Sequence, residues 1–307
     1  MEVEQKAWNY EEYFGRNYGI FTDEEQRRIR DARVVIVGCG GMGGVVALAL
    51  ARSGVGHFVL MDPQSYEPSN MNRQIVCFCD TIGKNKAQCT KEQILRINPE
   101  AEVTVYERAM VFEEIEEIAK LGDVIVPVMD EWPLSLVALE IIRKSKPAVM
   151  GYPVGALGRV SVFMADSPTV AECLVMPYRF GYRELQEYTI NPDARRLLLY
   201  YVTEGQWRED WFEEWVEDKK PHAQICPIVW ITGTLAALEV IKLVSGKWKP
   251  IIAPYYWHIT PSSARIRKFG LGRKLASRLS RHKWLRERMI RMARSKAFLR
   301  FFTKLID

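Results

Sequence analysis

The fold is decided by residues 34–62, which read VVIVGCGGMGGVVALALARSGVGHFVLMD. A β-branched run meets Gly38, Gly40 and Gly43 at G-x-G-x-x-G spacing. A small-residue segment follows, and a second apolar run ends in Asp62. This order of strand, glycine turn, helix, strand and acid is typical of a nucleotide-binding βαβ unit. It predicts an α/β fold with a Rossmann-like, doubly wound, mostly parallel sheet.

Two cations beyond the second strand decide which nucleotide is expected. Asp62 is placed to accept hydrogen bonds from a ribose, and Arg73 and Lys86 follow where a triphosphate extending from the glycine turn needs neutralising. A nicotinamide ring needs an apolar slot at this point. Each cation alone would be read as a solvated surface residue. Together they favour a triphosphate and make an NAD-dependent oxidoreductase the least favoured class.

The chain resembles the E1-like activating enzymes of the ThiF/MoeB/HesA superfamily. The resemblance covers roughly residues 16–260 and rests on the glycine turn, Asp62, Asp130 and four further segments: SNMNRQ (69–74), GKNKA (83–87), INPEAEV (97–103) and CPIVWITGTLAALEVIKLVSG (226–246). It implies an ATP-dependent adenylyltransferase that activates a carboxylate as an acyl-adenylate, with release of pyrophosphate. The usual substrate is the C-terminus of a peptide or of a ubiquitin-like or sulfur-carrier protein.

Site residues follow from the glycine pattern, the strand ends and this resemblance. The adenosine and phosphates are expected at Gly38, Gly40, Gly41 and Gly43, with Asp62 at the ribose and Asn70, Arg73, Gln74 and Lys86 at the triphosphate. Asp130 ends a hydrophobic strand in the same crevice and is expected to hold Mg²⁺. In the family an N-terminal Arg reaches the phosphates, often from the neighbouring subunit of a homodimer. Arg16 is its match here.

The cysteine pattern departs from that of many relatives. They bind a structural zinc ion through two Cys-x-x-Cys pairs, a motif that this chain lacks, so no such zinc site is expected. A thioester-forming cysteine would have to be Cys173 or Cys226, although a structural role is favoured for both. The unpaired cysteines and the absence of a secretory leader indicate a cytoplasmic protein.

Charge and composition divide the chain. Residues 1–268 are expected to form the adenylation domain, with an N-terminal helical arm at 1–32 and a variable helical insertion at 172–222. Residues 269–307 form a basic amphipathic helical tail. Residues 265–307 hold 15 Lys or Arg and 2 Asp or Glu, a net +13, which leaves −8 for the rest of a chain of formal charge +5.

Three partners suit such a tail: an acidic protein surface (including the acidic body of the chain itself), an anionic membrane surface, or RNA. The apolar stretch 225–238 contains Pro227 and Gly233 and is too short to span a bilayer, so no transmembrane helix is expected. Two other functions remain open. One is a tRNA-modifying relative that activates an RNA-borne carboxylate, and the other is an inactive nucleotide-binding scaffold.

Overall fold

The computed structural model describes residues 8–174, 181–204 and 207–306. Its strands are β1 (Arg33–Val37), β2 (His57–Met61), β3 (Glu102–Tyr106), β4 (Val124–Pro127), β5 (Ala148–Val154), β6 (Leu157–Phe163), β7 (Tyr255–Thr260) and β8 (Ser263–Lys268). Its helices are α1 (Tyr10–Tyr13), α2 (Asp23–Asp31), α3 (Gly41–Arg52), α4 (Lys86–Ile97), α5 (Ile115–Lys120), α6 (Trp132–Ile142), α7 (Val170–Leu174), α8 (Tyr182–Ile190), α9 (Pro192–Thr203), α10 (Glu209–Val216), α11 (Cys226–Ser245), α12 (Leu271–Leu279), α13 (Lys283–Met292) and α14 (Lys296–Ile306).

These strands form one sheet in the order β3-β2-β1-β4-β5-β6-β7-β8. The first five are parallel to their neighbours, and β6, β7 and β8 add antiparallel pairs at one side. The strand order reverses between β1 and β4, and ligands of such sheets bind beyond the carboxyl ends of the strands at this point. The Rossmann-like, mostly parallel fold predicted from the sequence is confirmed.

Alternate residues of β1 bury opposite faces of the sheet. Val34 and Ile36 belong to the core under α3, α4 and α11, whereas Val35 and Val37 belong to the core under α5 and α6. A strand buried on both faces is apolar throughout, which explains the unbroken VVIV run. Thr22 followed by Glu25 three positions later is typical of a capping box, and that box is present at the start of α2, since the Glu25 amide donates to Thr22 Oγ1 at 3.2 Å.

A proline in an otherwise central strand predicts a bulge, but β4 continues in register with β1 up to Pro127. Pro127 is the last residue of β4 and pairs in register with Val37 of β1, and its carbonyl accepts a hydrogen bond from Ser135 Oγ at 2.8 Å. Because it stands at the strand end, the missing proline N–H leaves the preceding ladder intact.

Helix α11 lies against the centre of the sheet. By length and composition its 20 residues could cross a membrane. However, it packs on α3, β5 and β6, and a Cβ atom on Gly233 would lie 2.8 Å from the Val45 Cβ atom. Close packing of this kind is typical of a core helix, although the helix is longer than the stretch 225–238 considered in the sequence.

The helical insertion and the tail share a third core. Phe212 and Trp215 of α10 are buried together with Leu197 of α9 and with Leu299 and Phe302 of α14. The tail therefore forms three short helices instead of one extended helix: α13 and α14 pack on α9, and α12 packs on α7 and α14. Each of these buried side chains contributes about 1.5–3 kcal/mol to the stability of this contact.

Candidate active site

The glycine turn is shaped by close backbone contacts. Gly38 has a φ of +97°, and a Cβ atom there would lie 2.8 Å from the carbonyl oxygen of Val128. A Cβ atom on Gly43 would lie 1.8 Å from the carbonyl oxygen of Gly38. Gly38 thus brings the turn against the end of β4, and Gly43 seats α3 on the turn. Gly40 and Gly41 line the adjoining cavity, as does Gly38, but Gly43 does not.

Asp62 closes the turn from the end of β2. Its Oδ2 accepts a hydrogen bond from the Cys39 amide at 2.7 Å, and its Oδ1 accepts one from the Gln64 amide at 2.8 Å. Burial raises the pKa of Asp62 against the effect of these amides, and the charge of Asp130 raises it further. The two carboxylates therefore lie in one crevice, as the strand ends predicted. Asp62 lines the cavity, where a ribose contact remains a prediction.

Arg73 is held in place by several acceptors. Its Nε donates to Gln224 Oε1 at 2.5 Å, and its Nη1 donates to the Ser69 carbonyl at 3.1 Å and to Asn72 Oδ1 at 2.9 Å. Gln224 in turn donates to the Pro153 carbonyl at 2.8 Å. A guanidinium fixed in this way is ready to meet phosphate or carboxylate oxygens at little cost in side-chain entropy.

Lys86 is the first residue of α4 and is almost fully buried. Its Nζ donates to Gln64 Oε1 at 2.7 Å, and its charge acts on Asp62 by lowering the pKa of that carboxyl. Gln64 and Asp62 both line the cavity, so the ammonium lies directly behind the cavity wall. A buried cation is costly unless it is paired, and Asp62 provides the nearby negative charge.

Gln74 and Asn70 take different positions. Gln74 is buried beside Gly40 and lines the cavity, and its Oε1 has no hydrogen-bond partner among the described residues. An unpaired buried amide oxygen next to a glycine turn fits a ligand that supplies a donor, such as an adenosine. Asn70 instead accepts a hydrogen bond from the Glu67 amide at 3.2 Å and shapes the turn, and it does not line the cavity.

One cavity of about 900 Å³ extends from the residues predicted to bind the nucleotide to the helices of the insertion. Its volume is at the upper end of the range of about 300–1,000 Å³ that is usual for ligand pockets. The end that we call the nucleotide end is lined by Gly38, Gly40, Gly41, Asp62, Arg73, Gln74 and Asp130. The other, which we call the insertion end, is lined by Ile190, Arg195, Leu198, Leu199, Trp215, Asp218, Pro221 and His222.

Three stacked rings support the insertion end. The ring centroids of Trp207 and Trp215 are 4.3 Å apart, those of Trp215 and His222 are 5.0 Å apart, and the planes differ by no more than 13° in these two pairs. Burial, with a contribution from the charge of Arg73, lowers the pKa of His222 to about 4, so the imidazole is uncharged at neutral pH. The i, i+4, i+8 spacing of Trp207, Trp211 and Trp215 is by itself typical of a core stripe, and a lone His such as His222 is more often a helix cap than a site residue.

Arg16 lies away from the cavity of its own chain. It is exposed on a short 3₁₀ helix, Gly15–Gly19, and the neighbouring Asn17 side chain donates to the Ser53 carbonyl at the C-terminal end of α3. The glycine turn is at the other end of α3, about 18 Å away for a helix of 12 residues. The phosphate contact of Arg16 stays a prediction.

The two candidate nucleophiles differ in burial. Cys173 lies in the core under α6 and α7, and burial raises the pKa of its thiol to about 12, which removes the thiolate that a nucleophile needs. This corrects its place among the candidates. Cys226 is half-buried at the first turn of α11 and does not line the cavity.

Within residues 8–174, 181–204 and 207–306, no three His, Cys, Asp or Glu side chains are grouped closely enough to hold a metal ion. Asp130 is exposed and lines the nucleotide end. Since magnesium is commonly held by one or two carboxylates together with substrate phosphates, a single Asp fits that chemistry. The magnesium role of Asp130 stays a prediction.

Comparison with known proteins agrees with this geometry. A sequence profile described as the ThiF family matches residues 14–278. The tRNA threonylcarbamoyladenosine dehydratase of Haemophilus influenzae is 30% identical over 191 residues, which are 61% of this chain and 73% of that protein. The sulfur carrier protein ThiS adenylyltransferase of Escherichia coli is 27% identical over 223 residues, which are 72% of this chain and 75% of that protein.

Among solved structures, E. coli MccB with MccA-N7isoAsn superposes with a TM-score of 0.64 at 22% identity, covering 85% of this chain and 71% of that one. At this identity the likeness supports the fold. The profile match covers most of the chain and includes the glycine turn, both cations and α11. The chain therefore belongs to the ThiF family and is, as its sequence predicted, an ATP-dependent adenylyltransferase that activates a carboxylate.

Proposed function

We propose that the activated carboxylate is the C-terminus of a peptide or small carrier protein. The observation that carries this proposal is that one continuous cavity has two unlike ends. The nucleotide end has the glycine turn and the charged residues, whereas the insertion end is walled mainly by apolar and aromatic side chains. A nucleotide occupies the first, and the last residues of an extended chain occupy the second. Relatives named for a sulfur carrier protein support this substrate class.

At this site the protein must bring the negatively charged carboxylate of the substrate close to the negatively charged phosphates of ATP. ATP supplies an electrophilic α-phosphorus and a pyrophosphate leaving group. A C-terminal carboxylate has a pKa of about 3.5, so it arrives ionised and needs no general base. Arg73, fixed between the two ends by Gln224, and Lys86, behind the nucleotide end, offset the repulsion between carboxylate and phosphates. Preorganised cations of this kind lower the barrier because they need no rearrangement during the reaction.

We also propose that the enzyme is a homodimer in which Arg16 acts in the partner's cavity. Its distance from the cavity of its own chain supports this arrangement. Helix α11 exposes Trp230, Ile231 and Leu238, and Trp230 Nε1 donates to the Arg73 carbonyl at 2.9 Å, so this apolar face adjoins the active site. The free cysteines fit the cytoplasmic location proposed from the sequence.

The function is tested by ATP–pyrophosphate exchange with candidate peptides from the same operon. Replacing Lys86 by Met keeps the buried aliphatic stem and removes the charge, and we expect exchange to fall by about 10²–10³-fold. Lys84→Met is the matched control, because Lys84 is exposed two positions earlier. Near-normal exchange in the Lys86 variant, with its fold intact by circular dichroism, would contradict the assignment.

The same assay separates the alternatives. Exchange that appears only with tRNA, and not with any peptide, would select the RNA-borne carboxylate. Two observations support testing tRNA: one relative is named for a modified tRNA nucleoside, and the tail is basic. ATP binding without exchange in the presence of peptide or tRNA would indicate a scaffold.

A further inference from the structure

The outward face of α14 carries two parallel columns of side chains. Three cations recur at every fourth position, and each is followed directly by an apolar residue: Lys296, Arg300 and Lys304, with Ala297, Phe301 and Leu305. All six are exposed, and Phe301 and Leu305 are each 62% exposed. Residues four apart lie on the same side of a helix, so the cations form one column and the apolar groups the next.

Helix α12 repeats the arrangement. Lys274 and Arg278 form its cationic column, and Leu275 and Leu279 form its apolar column, at 59% and 41% exposure. α12 packs directly on α14. Trp284, at the start of α13 between them in the chain, is 64% exposed. We call the exposed columns of α12 and α14, together with Trp284, the tail face.

The tail face is distinct from the apolar side that holds the tail to the body. Ala276 of α12 and Leu299 and Phe302 of α14 point inward and complete the core with Trp215. These inward residues account for the amphipathic pattern of the tail as a structural feature. The exposed Leu and Phe side chains are additional apolar surface that the described residues leave uncovered.

Carboxylates of the body pair with only some of the tail's cations, among them Lys296, which forms an ion pair with Glu209. Lys274 and Arg278 each lie 3.6 Å from Glu172, and Arg294 lies 2.8 Å from Asp193. Six other cations have no carboxylate within ion-pair distance among the described residues: Arg281, Lys283, Arg288, Arg291, Arg300 and Lys304. The tail face therefore combines excess positive charge with exposed apolar groups.

We propose that the tail face docks on an anionic lipid surface. A membrane interface satisfies both columns at once, because the Leu and Phe side chains enter the acyl boundary while the Lys and Arg head groups stay at the lipid phosphates. An exposed tryptophan suits the same interface. This inference is independent of which carboxylate the enzyme activates.

Two other binding partners would interact favourably with only one of the two columns, either the cations or the apolar side chains. A second copy of the chain would cover the apolar column but bring columns of like charge together, which is unfavourable. An RNA backbone would pair with the cations but gain little from Leu275, Leu279 and Leu305, since RNA recognition uses cations and planar aromatic rings.

The proposal is tested by sedimentation of the full chain with vesicles of phosphatidylglycerol and, separately, of phosphatidylcholine. We expect binding to the first and not to the second, and release at high salt. Two double variants, Phe301→Ser with Leu305→Ser and Arg300→Gln with Lys304→Gln, should each weaken binding at least tenfold. Ile20→Ser is the matched control, because Ile20 is 56% exposed and lies outside the tail.

The outcomes separate the occupants. Unchanged vesicle binding in the Phe301 and Leu305 variant would overturn the proposal. Salt-sensitive tRNA binding that depends on Arg300 and Lys304, without vesicle binding, would replace it with RNA. A change from oligomer to monomer in the Phe301 and Leu305 variant, again without vesicle binding, would replace it with a second copy. Circular dichroism of each variant shows that it is folded, whether or not exchange activity is found.

Discussion

The two ends of the cavity are built in different ways. At the nucleotide end, the glycine turn, Asp62 and Asp130 all follow directly from the carboxyl ends of adjacent parallel strands. At the insertion end, the walls come from α8, α9 and α10 and from the segment before α11. The tail packs against α9 and α10 and so holds these two helices in place. The first end is positioned by the sheet and the second by the packing of helices on one another. Changes that loosen helix packing should therefore act on the second end first.

Glu204 joins the insertion to the sheet through contacts with two strands. It follows α9 directly and has a left-handed φ of +51°. Its Oε1 lies 2.6 Å from Arg159 Nη2 of β6 and 2.9 Å from His258 Nε2 of β7. Burial opposes its ionisation, but the hydrogen bond from His258 and the charge of Arg159 outweigh that effect and lower the pKa of Glu204 to about 2.

Replacing Glu204 by Gln breaks this link and should have the largest effect on stability. The substitution removes the negative charge facing a buried guanidinium, and breaking such a pair costs about 3–5 kcal/mol. Urea denaturation measures the loss. Glu117→Gln is the control, since the Glu117–Lys120 pair is exposed and contributes less than about 1 kcal/mol. Equal stability of the two variants would show that the insertion does not depend on Glu204.

His222 allows a second test, through pH. Its pKa is about 4 in the folded protein and about 6.5 when unfolded, so between these values the unfolded chain binds more protons. The free energy of unfolding should therefore fall as the pH falls from 6.5 to 4, by up to about 3 kcal/mol. The difference between the wild type and His222→Gln isolates this contribution in denaturation curves across that range. Parallel pH profiles for the two proteins would mean that His222 titrates normally.

The nucleotide end could be predicted from the sequence because its signals are local. Glycine spacing, a strand-terminal acid and the SNMNRQ segment each lie within a few residues of the group they position. Parallel strands then bring the groups together at one edge. Gly43, which was expected at the nucleotide, does not line the cavity. A glycine is needed there because α3 packs against the carbonyl oxygen of Gly38, where a Cβ atom would not fit.

The insertion end could not be predicted in the same way. The stacking of His222 on Trp215, and of Trp215 on Trp207, depends on how α10 folds back, and no short spacing encodes it. Helical spacing of Phe212 and Trp215 is typical of core residues, which both are, but it gives no sign that one side of that core faces a cavity. Likewise, burial of Cys173 depends on packing against α6, which its local sequence does not specify.

Gln224 joins the two ends and should show the smallest of these effects. Its Oε1 accepts from Arg73 Nε at 2.5 Å, so Gln224→Leu frees the guanidinium from the insertion end. A hydrogen bond to a charged group contributes about 1.5–3 kcal/mol, and the remaining bonds of Arg73 to Ser69 and Asn72 keep the expected loss near the lower value. We therefore expect peptide-dependent exchange to fall about tenfold.

The control for Gln224 is Gln93→Leu, which removes the same kind of Gln–Arg contact, to Arg96, from the exposed surface of α4. If kcat/KM for the peptide falls in the Gln224 variant while the affinity for ATP is kept, Arg73 serves mainly the carboxylate, and the insertion end positions it. If kcat/KM for the peptide and the affinity for ATP fall together, Arg73 serves mainly the phosphates. Arg73 then belongs to the nucleotide end, and Gln224 is the first residue of the insertion end. An unchanged exchange rate would show that the loop 69–74 alone fixes Arg73, and that the two ends act independently.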